Sequence, residues 1–162
     1  AMERHVISAL VANKPGVLAH VAGLFSARGF NIESLAVGET ERPEFSRMTI
    51  VVSGDEAILE QVRKQLAKLI DVVKVQDFSG TPCVERDLAL IRVHAPAERR
   101  GEVLDLVKVF RGRVVDVSRQ DLMVELSGTE AKIDALLDLL RSYGIREMAR
   151  TGRIALPRTC RT

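Results

Sequence analysis

Residues 13–31 read NKPGVLAHVAGLFSARGFN, and their reading decides the fold. The stretch before them, HVISALVAN (5–13), is apolar and β-prone, so it predicts a strand that Pro15-Gly16 terminates. From Val17 the apolar residues recur at Val17, Leu18, Val21, Leu24 and Phe25. That spacing marks one face of a helix, ending near Gly29. Phe30 to Glu39 predicts the next strand. A polar turn, ERPEFS, separates it from the strand RMTIVVSG (47–54). Asp55 then opens a helix whose expected stripe is Ile58, Val62, Leu66, Leu69 and Ile70, and VVKVQDFS (72–79) predicts a fourth strand.

The same order returns after Ser79-Gly-Thr-Pro82. ERDLALIRVHA (85–95) predicts a strand, and EVLDLVKVF (102–110) a helix with Val103, Val107 and Phe110 on one side. GRVVDVS and DLMVELSG are the next two strands, the latter alternating Leu122, Val124 and Leu126. A helix from Thr129 buries Ile133, Leu136, Leu137 and Leu140, and REMARTGRIAL (146–156) is the last strand. Each half is therefore β-α-β-β-α-β, an α+β class of two tandem ferredoxin-like domains over residues 2–79 and 84–162.

Composition narrows the function classes. The chain has 162 residues, 46% hydrophobic but only 4% aromatic, so its cores are aliphatic. No apolar run reaches the roughly 18 residues that span a bilayer, and no basic-then-apolar leader precedes the first strand, so no membrane role is expected. Ala1 precedes a Met and reads as an added residue. Cys83 and Cys160 form no CxxC pair, so neither a zinc site nor a disulfide framework is indicated, and a cytoplasmic protein is expected. A net charge of +2 gives no electrostatic case for nucleic acid. RGRVVDVS (111–118) carries Val where an RNA-recognition strand needs rings to stack bases. The basic C-terminus (Arg146, Arg150, Arg153, Arg158, Arg161) reads as a solvated strand and tail, with an acidic partner as the alternative.

Catalysis finds no footing. His5, His20 and His94 have no acid or nucleophile at motif spacing, and neither a GxGxxG nor a P-loop occurs. A metal carrier of this fold needs two thiolates in its first loop, and a phosphatase needs an arginine there. This loop offers Lys14 alone. No catalytic residue and no metal site is expected.

The Asn13-Lys14-Pro15-Gly16 loop remains. Pro15 forces a sharp turn after Asn13, and Gly16 leaves its backbone open to close approach. The amide groups of Val17 and Leu18 have no intrahelical acceptors and sit at the positive end of the helix dipole, which suits a small carboxylate. The Asn13 side chain can accept from an ammonium and donate to a carboxylate. Those groups fit a free amino acid; an ordinary capped turn between strand and helix is the alternative.

NKPGVLAHVAGLFSARGFNIESL (13–35) resembles the amino-acid-binding ACT domain. With SRMTIVVSGDE (46–56), QVRKQLAKLIDV (61–72) and FRGRVVDVS (110–118), it resembles the small regulatory subunits of acetolactate (acetohydroxyacid) synthase across both halves. The resemblance implies a non-catalytic subunit that binds a large catalytic subunit, raises its activity and confers feedback inhibition by valine or another branched-chain amino acid. It implies no cofactor in this chain, with thiamine diphosphate, Mg and FAD in the catalytic partner. On the family's pattern the effector-binding positions are Asn13, Gly16 and Asn31, with Val17 and Leu18 supplying backbone donors. Ala36 stands where relatives often carry Thr, which removes a polar contact near that site. The second half has HAPAERRGEV in place of an Asn-x-Pro-Gly loop, so no amino-acid site is expected there.

Topology adds a condition. In a ferredoxin-like sheet the first two strands run the same way, so Asn13 lies at the exit of one and Asn31 at the entry of the other. About seven residues at ~3.3 Å put them on the order of 20 Å apart, too far for one valine. The second strand is a sheet edge. Pairing two copies along that edge predicts a homodimer with two composite sites. Two rivals remain: a stand-alone tandem ACT sensor controlling a different enzyme or regulator, and a small hydrolase of the same fold.

Overall fold

The computed structural model describes residues 3–159; Ala1, Met2, Cys160 and Arg161, read above from sequence, lie outside that range. Of the described residues, 3–84 and 153–159 form one compact unit and 85–152 a second. No helix among the described residues is long and apolar enough to cross a membrane.

The first unit contains β1 (Glu3–Ala12), α1 (Val17–Ala27), β2 (Asn31–Glu39), β3 (Phe45–Gly54), α2 (Glu56–Ala67) and β4 (Val72–Asp77). Its sheet runs β2-β3-β1-β4, every neighbouring pair antiparallel. Alternation brings Ile7, Ala9 and Val11 of β1, and Met48, Ile50 and Val52 of β3, to one face. Val17, Val21 and Phe25 of α1 and Leu59, Val62 and Leu66 of α2 cover that face. In β2 the register shifts between Ile32 and Ser34, so Glu33 is an extra, bulged residue. The bulge lets Ile32 and Leu35, three apart in sequence, both pack against the core.

The second unit repeats the plan with most of β5 (Cys83–His94), then α3 (Ala97–Val109), β6 (Arg113–Val117), β7 (Asp121–Gly128), α4 (Glu130–Leu140) and β8 (Ile145–Arg150). Its strands run β6-β7-β5-β8. Leu122, Val124 and Leu126 alternate into the core, and Ile133, Leu136, Leu137 and Leu140 of α4 meet them, as the sequence predicts. The fold is thus α+β, two antiparallel sheets each covered by two helices.

Three expectations are corrected. The buried stripe of α2 is Leu59-Val62-Leu66; Ile58 is exposed and Ile70 is 99% exposed. Asp55 caps this helix by accepting from Ala57 N at 2.8 Å, and the helix stops at Lys68, so Ile70 falls in the following turn beyond the helical period. Helix α3 begins at Ala97, earlier than the apolar pattern predicts, because its first turn (Ala97, Glu98, Arg99, Arg100) carries no large apolar side chain and Pro96 occupies the N-cap. The last strand is two: Gly152 adopts φ 84° and breaks β8 from β9 (Ile154–Pro157). β9 runs beside the start of β5, where Arg158 N donates to Pro82 O at 3.0 Å. There Ala155 is buried with Val6, Val51 and Phe78, on a cluster separate from the helix-covered core.

Candidate effector-binding site

The loop between β1 and α1 is fastened on two sides. On one, Asn13 N donates to Glu44 O at 2.9 Å, and Asn13 Nδ2 donates to Pro43 O at 3.1 Å and to Glu39 Oε1 at 3.3 Å. On the other, Ala12 N donates to Asp71 O at 2.7 Å and the Lys14 ammonium lies 3.7 Å from Asp71 Oδ1. The chain around Asn-Lys-Pro-Gly is therefore held by residues distant in sequence, Pro43 and Glu39 on the β2–β3 side and Asp71 before β4.

Gly16 is the N-cap of α1, at φ 85° and ψ −15°. This left-handed conformation is the reason glycine stands here, since a Cβ would meet nothing within 4 Å. No side chain caps α1 and no acidic residue occupies its first turn; α3, with Pro96 at its N-cap, also has no side-chain cap but carries Glu98 in its first turn, whereas Asp55 caps α2 and Thr129 caps α4. The first intrahelical bond is His20 N to Gly16 O at 3.1 Å. The amides of Val17 and Leu18 precede it and have no carbonyl of their own helix to meet. Val17 turns its side chain into the core, while Leu18 is 45% exposed rather than part of the buried face.

Asn13, Gly16, Val17 and Leu18 are thus gathered at one end of the sheet, and Asn31 is not among them. Asn31 and Arg4 both pair with Ser53, which sets Asn31 level with Arg4 at the opposite end of β1 from Asn13. At ~3.3 Å per residue that separation is roughly 30 Å, more than the topology alone suggests. Asn31 is an exposed first residue of β2. Beside it the bulged Glu33 accepts from Ser53 Oγ at 2.5 Å and pairs with Arg4 Nε at 2.7 Å. Ala36 lies opposite the buried Thr49. β2 has β3 on one side and forms the edge of the sheet.

The corresponding joint of the second unit is built differently. Arg100, in the first turns of α3, donates to Ala95 O at 3.0 and 3.1 Å, to Ser118 O at 2.5 Å and to Arg119 O at 3.1 Å. The chain's own guanidinium ties the β6–β7 turn to the end of β5, where Asn13 ties the β2–β3 loop in the first unit.

Two of the three histidines, His5 and His94, contact neighbouring polar side chains. His5 is buried, with Ser79 Oγ 3.2 Å and Asp77 Oδ2 3.6 Å from the same ring nitrogen, so the three do not form a relay. His94 meets Arg146 Nη2 at 2.8 Å and Asp121 Oδ1 at 3.5 Å, and His20 is exposed. Among the described residues no group of three His, Cys, Asp or Glu is placed to hold a metal ion.

What the sequence does not reveal is the set of partners that hold the loop. Glu39, Pro43 and Asp71 carry no periodic signal and reach Asn13, Ala12 and Lys14 through long-range pairing.

Comparison with known proteins places the whole chain. A family described as the small subunit of acetolactate synthase matches residues 86–159, and one described as the AHAS small subunit-like ACT domain matches residues 7–74. The probable acetolactate synthase small subunit of Archaeoglobus fulgidus is 59% identical over 155 residues, covering 96% of this chain and 97% of that protein. The acetolactate synthase small subunit of Mycolicibacterium smegmatis is 53% identical over 154 residues, 95% of this chain and 91% of that one. The crystal structure of the acetolactate synthase small subunit from Thermotoga maritima superposes with a TM-score of 0.88 at 44% identity, covering 98% of this chain and 99% of that chain. With an ACT domain in its first half and the small-subunit domain in its second, the chain belongs to the acetolactate synthase small-subunit family.

Proposed function

We propose that this chain is the non-catalytic regulatory subunit of acetolactate synthase: it binds the large catalytic subunit, raises its activity, and confers feedback inhibition by valine or a related branched-chain amino acid. Thiamine diphosphate, Mg and FAD then belong to the catalytic partner. The observation that carries the effector reading is the uncapped start of α1, with left-handed Gly16 at its mouth and Asn13 alongside. Such an end favours an anion, and a carboxylate supplies one.

Asn31 enters this site from a second copy. If two β2 edges pair antiparallel, each Asn31 arrives at the partner's Asn13 and Gly16, so the homodimer has one seam and two composite sites. A ligand that touches both chains stabilises one dimer geometry over another, and that difference is what the catalytic subunit senses. Coupling of about 1–3 kcal/mol changes the partner's activity several-fold to roughly a hundredfold.

The experiment is reconstitution with the catalytic subunit. Asn13→Ala and Asn31→Ala each abolish inhibition by valine while leaving stimulation of the partner intact. Unchanged valine sensitivity in both variants removes the site, and failure of the wild-type chain to bind and stimulate the synthase removes the regulatory role.

A further inference from the structure

Glu39 ends β2 opposite Ser46, which in turn faces Val11 near the end of β1, so it stands at the same end of the sheet as Asn13. Its carboxylate accepts a long bond, 3.3 Å, from the neutral amide of Asn13, and it is exposed. The loop's own cation does not neutralise it: the Lys14 ammonium pairs with Asp71, on the β4 side. The mouth of α1 therefore sets a positive helix end beside an anionic side chain whose donor among the described residues is the neutral amide of Asn13.

That arrangement is complementary to a zwitterion, whose carboxylate and ammonium sit on one carbon. We propose that Glu39 accepts the ammonium of the effector and makes the site select an α-amino acid over the matching 2-oxo acid. This rests on the reading that the mouth of α1 holds a branched-chain amino acid, and it assigns to that site a specificity residue outside Asn13, Gly16, Val17, Leu18 and Asn31. A branched 2-oxo acid shares the side chain and carboxylate of the amino acid and lacks only the ammonium. Backbone donors bind the two carboxylates alike. An anionic side chain separates them, because it attracts an ammonium and repels a second carboxylate that brings no cation. The incoming ammonium also takes the place of Asn13 Nδ2 on Glu39, which frees that amide to donate to the ligand carboxylate.

Calorimetry on the full chain tests this with two probes, L-valine and 3-methyl-2-oxobutanoate, and three proteins: wild type, Glu39→Gln and Asn13→Ala. Wild type binds valine and prefers it over the oxo acid by about a hundredfold or more. Glu39→Gln weakens valine by about tenfold and leaves the oxo acid unchanged or tighter, so the preference narrows. The side chain is exposed, and an unchanged melting temperature of this variant excludes a folding defect as the cause. If Glu39→Gln binds valine as wild type does while Asn13→Ala loses it, the ammonium assignment falls and the effector site stands. Proportional loss of both ligands in Glu39→Gln also overturns the assignment. If wild type binds no branched-chain amino acid, the effector site and the role of Glu39 fall together.

Discussion

Gly54, the last residue of β3, lies under the ring of Phe30, so close that a Cβ there would stand 1.9 Å from Phe30 Cε1. Phe30 in turn meets Phe25 edge to face, with centroids 6.3 Å apart and planes at 85°. The turn that ends α1 is therefore packed through an aromatic pair onto a glycine two strands away in sequence, and a Cβ at position 54 requires the Phe30 ring to shift. Gly54→Ala should cost about 1–3 kcal/mol, read as a lower melting temperature. A melt indistinguishable from wild type would show that Phe30 can move aside. Gly16 needs glycine for a different reason, its left-handed backbone, and the two cases separate a packing glycine from a conformational one. The sequence reads both as punctuation; which kind each is depends on neighbours that only the folded chain supplies.

At the scale of elements, periodicity decides what is legible. Helix α4 reads directly, because Thr129 caps it by accepting from Lys132 N at 3.3 Å and its buried residues keep strict helical spacing. The first turns of α3 do not read, since Glu98, Arg99 and Arg100 face away from the core and carry no apolar signal. The break between β8 and β9 is likewise hidden in an unbroken polar–apolar run, with Gly152 as the one cue. It matters because β8 ends in a clamp. Arg150 donates through Nε and Nη2 to Asp87 Oδ2 at 3.1 and 2.8 Å, and through Nη1 to Asp134 at 2.7 Å. Thr151 Oγ1 adds a bond to Asp87 Oδ1 at 3.1 Å. Burial by itself would lower the pKa of the Arg150 guanidinium, but its bonds to Asp134 and Asp87 outweigh that and raise it above the ordinary value. Because Asp87 is buried, Arg150→Met strands a carboxylate and should cost about 3 kcal/mol in denaturant unfolding, with part of the loss recovered in the double variant Asp87→Leu/Arg150→Met. Equal stability of Arg150→Met and wild type would mean the clamp contributes nothing net.

At the scale of the whole molecule, one plan is used twice and with different outcomes. In the first unit the joint between strand and helix is spanned by Asn13 and leaves the start of α1 uncapped. In the second, the start of α3 likewise has no side-chain cap, and Arg100 spans the corresponding joint by donating to the Ala95, Ser118 and Arg119 carbonyls. The chain then returns, through β9, to bury Ala155 against Val6, Val51 and Phe78 of the first unit. Sequence alone makes the repeat and the loop legible, and the strand order supplies the constraint that matters: Asn13 and Asn31 stand at opposite ends of one sheet. A shared ligand therefore requires two chains. The measurement that tests this most directly is valine inhibition of holoenzyme reconstituted with mixed dimers of Asn13→Ala and Asn31→Ala. One composite site of each mixed dimer carries both asparagines, so valine sensitivity should return with one site per dimer, while either parent variant stays insensitive. Mixed dimers as insensitive as their parents would contradict a site shared across the seam.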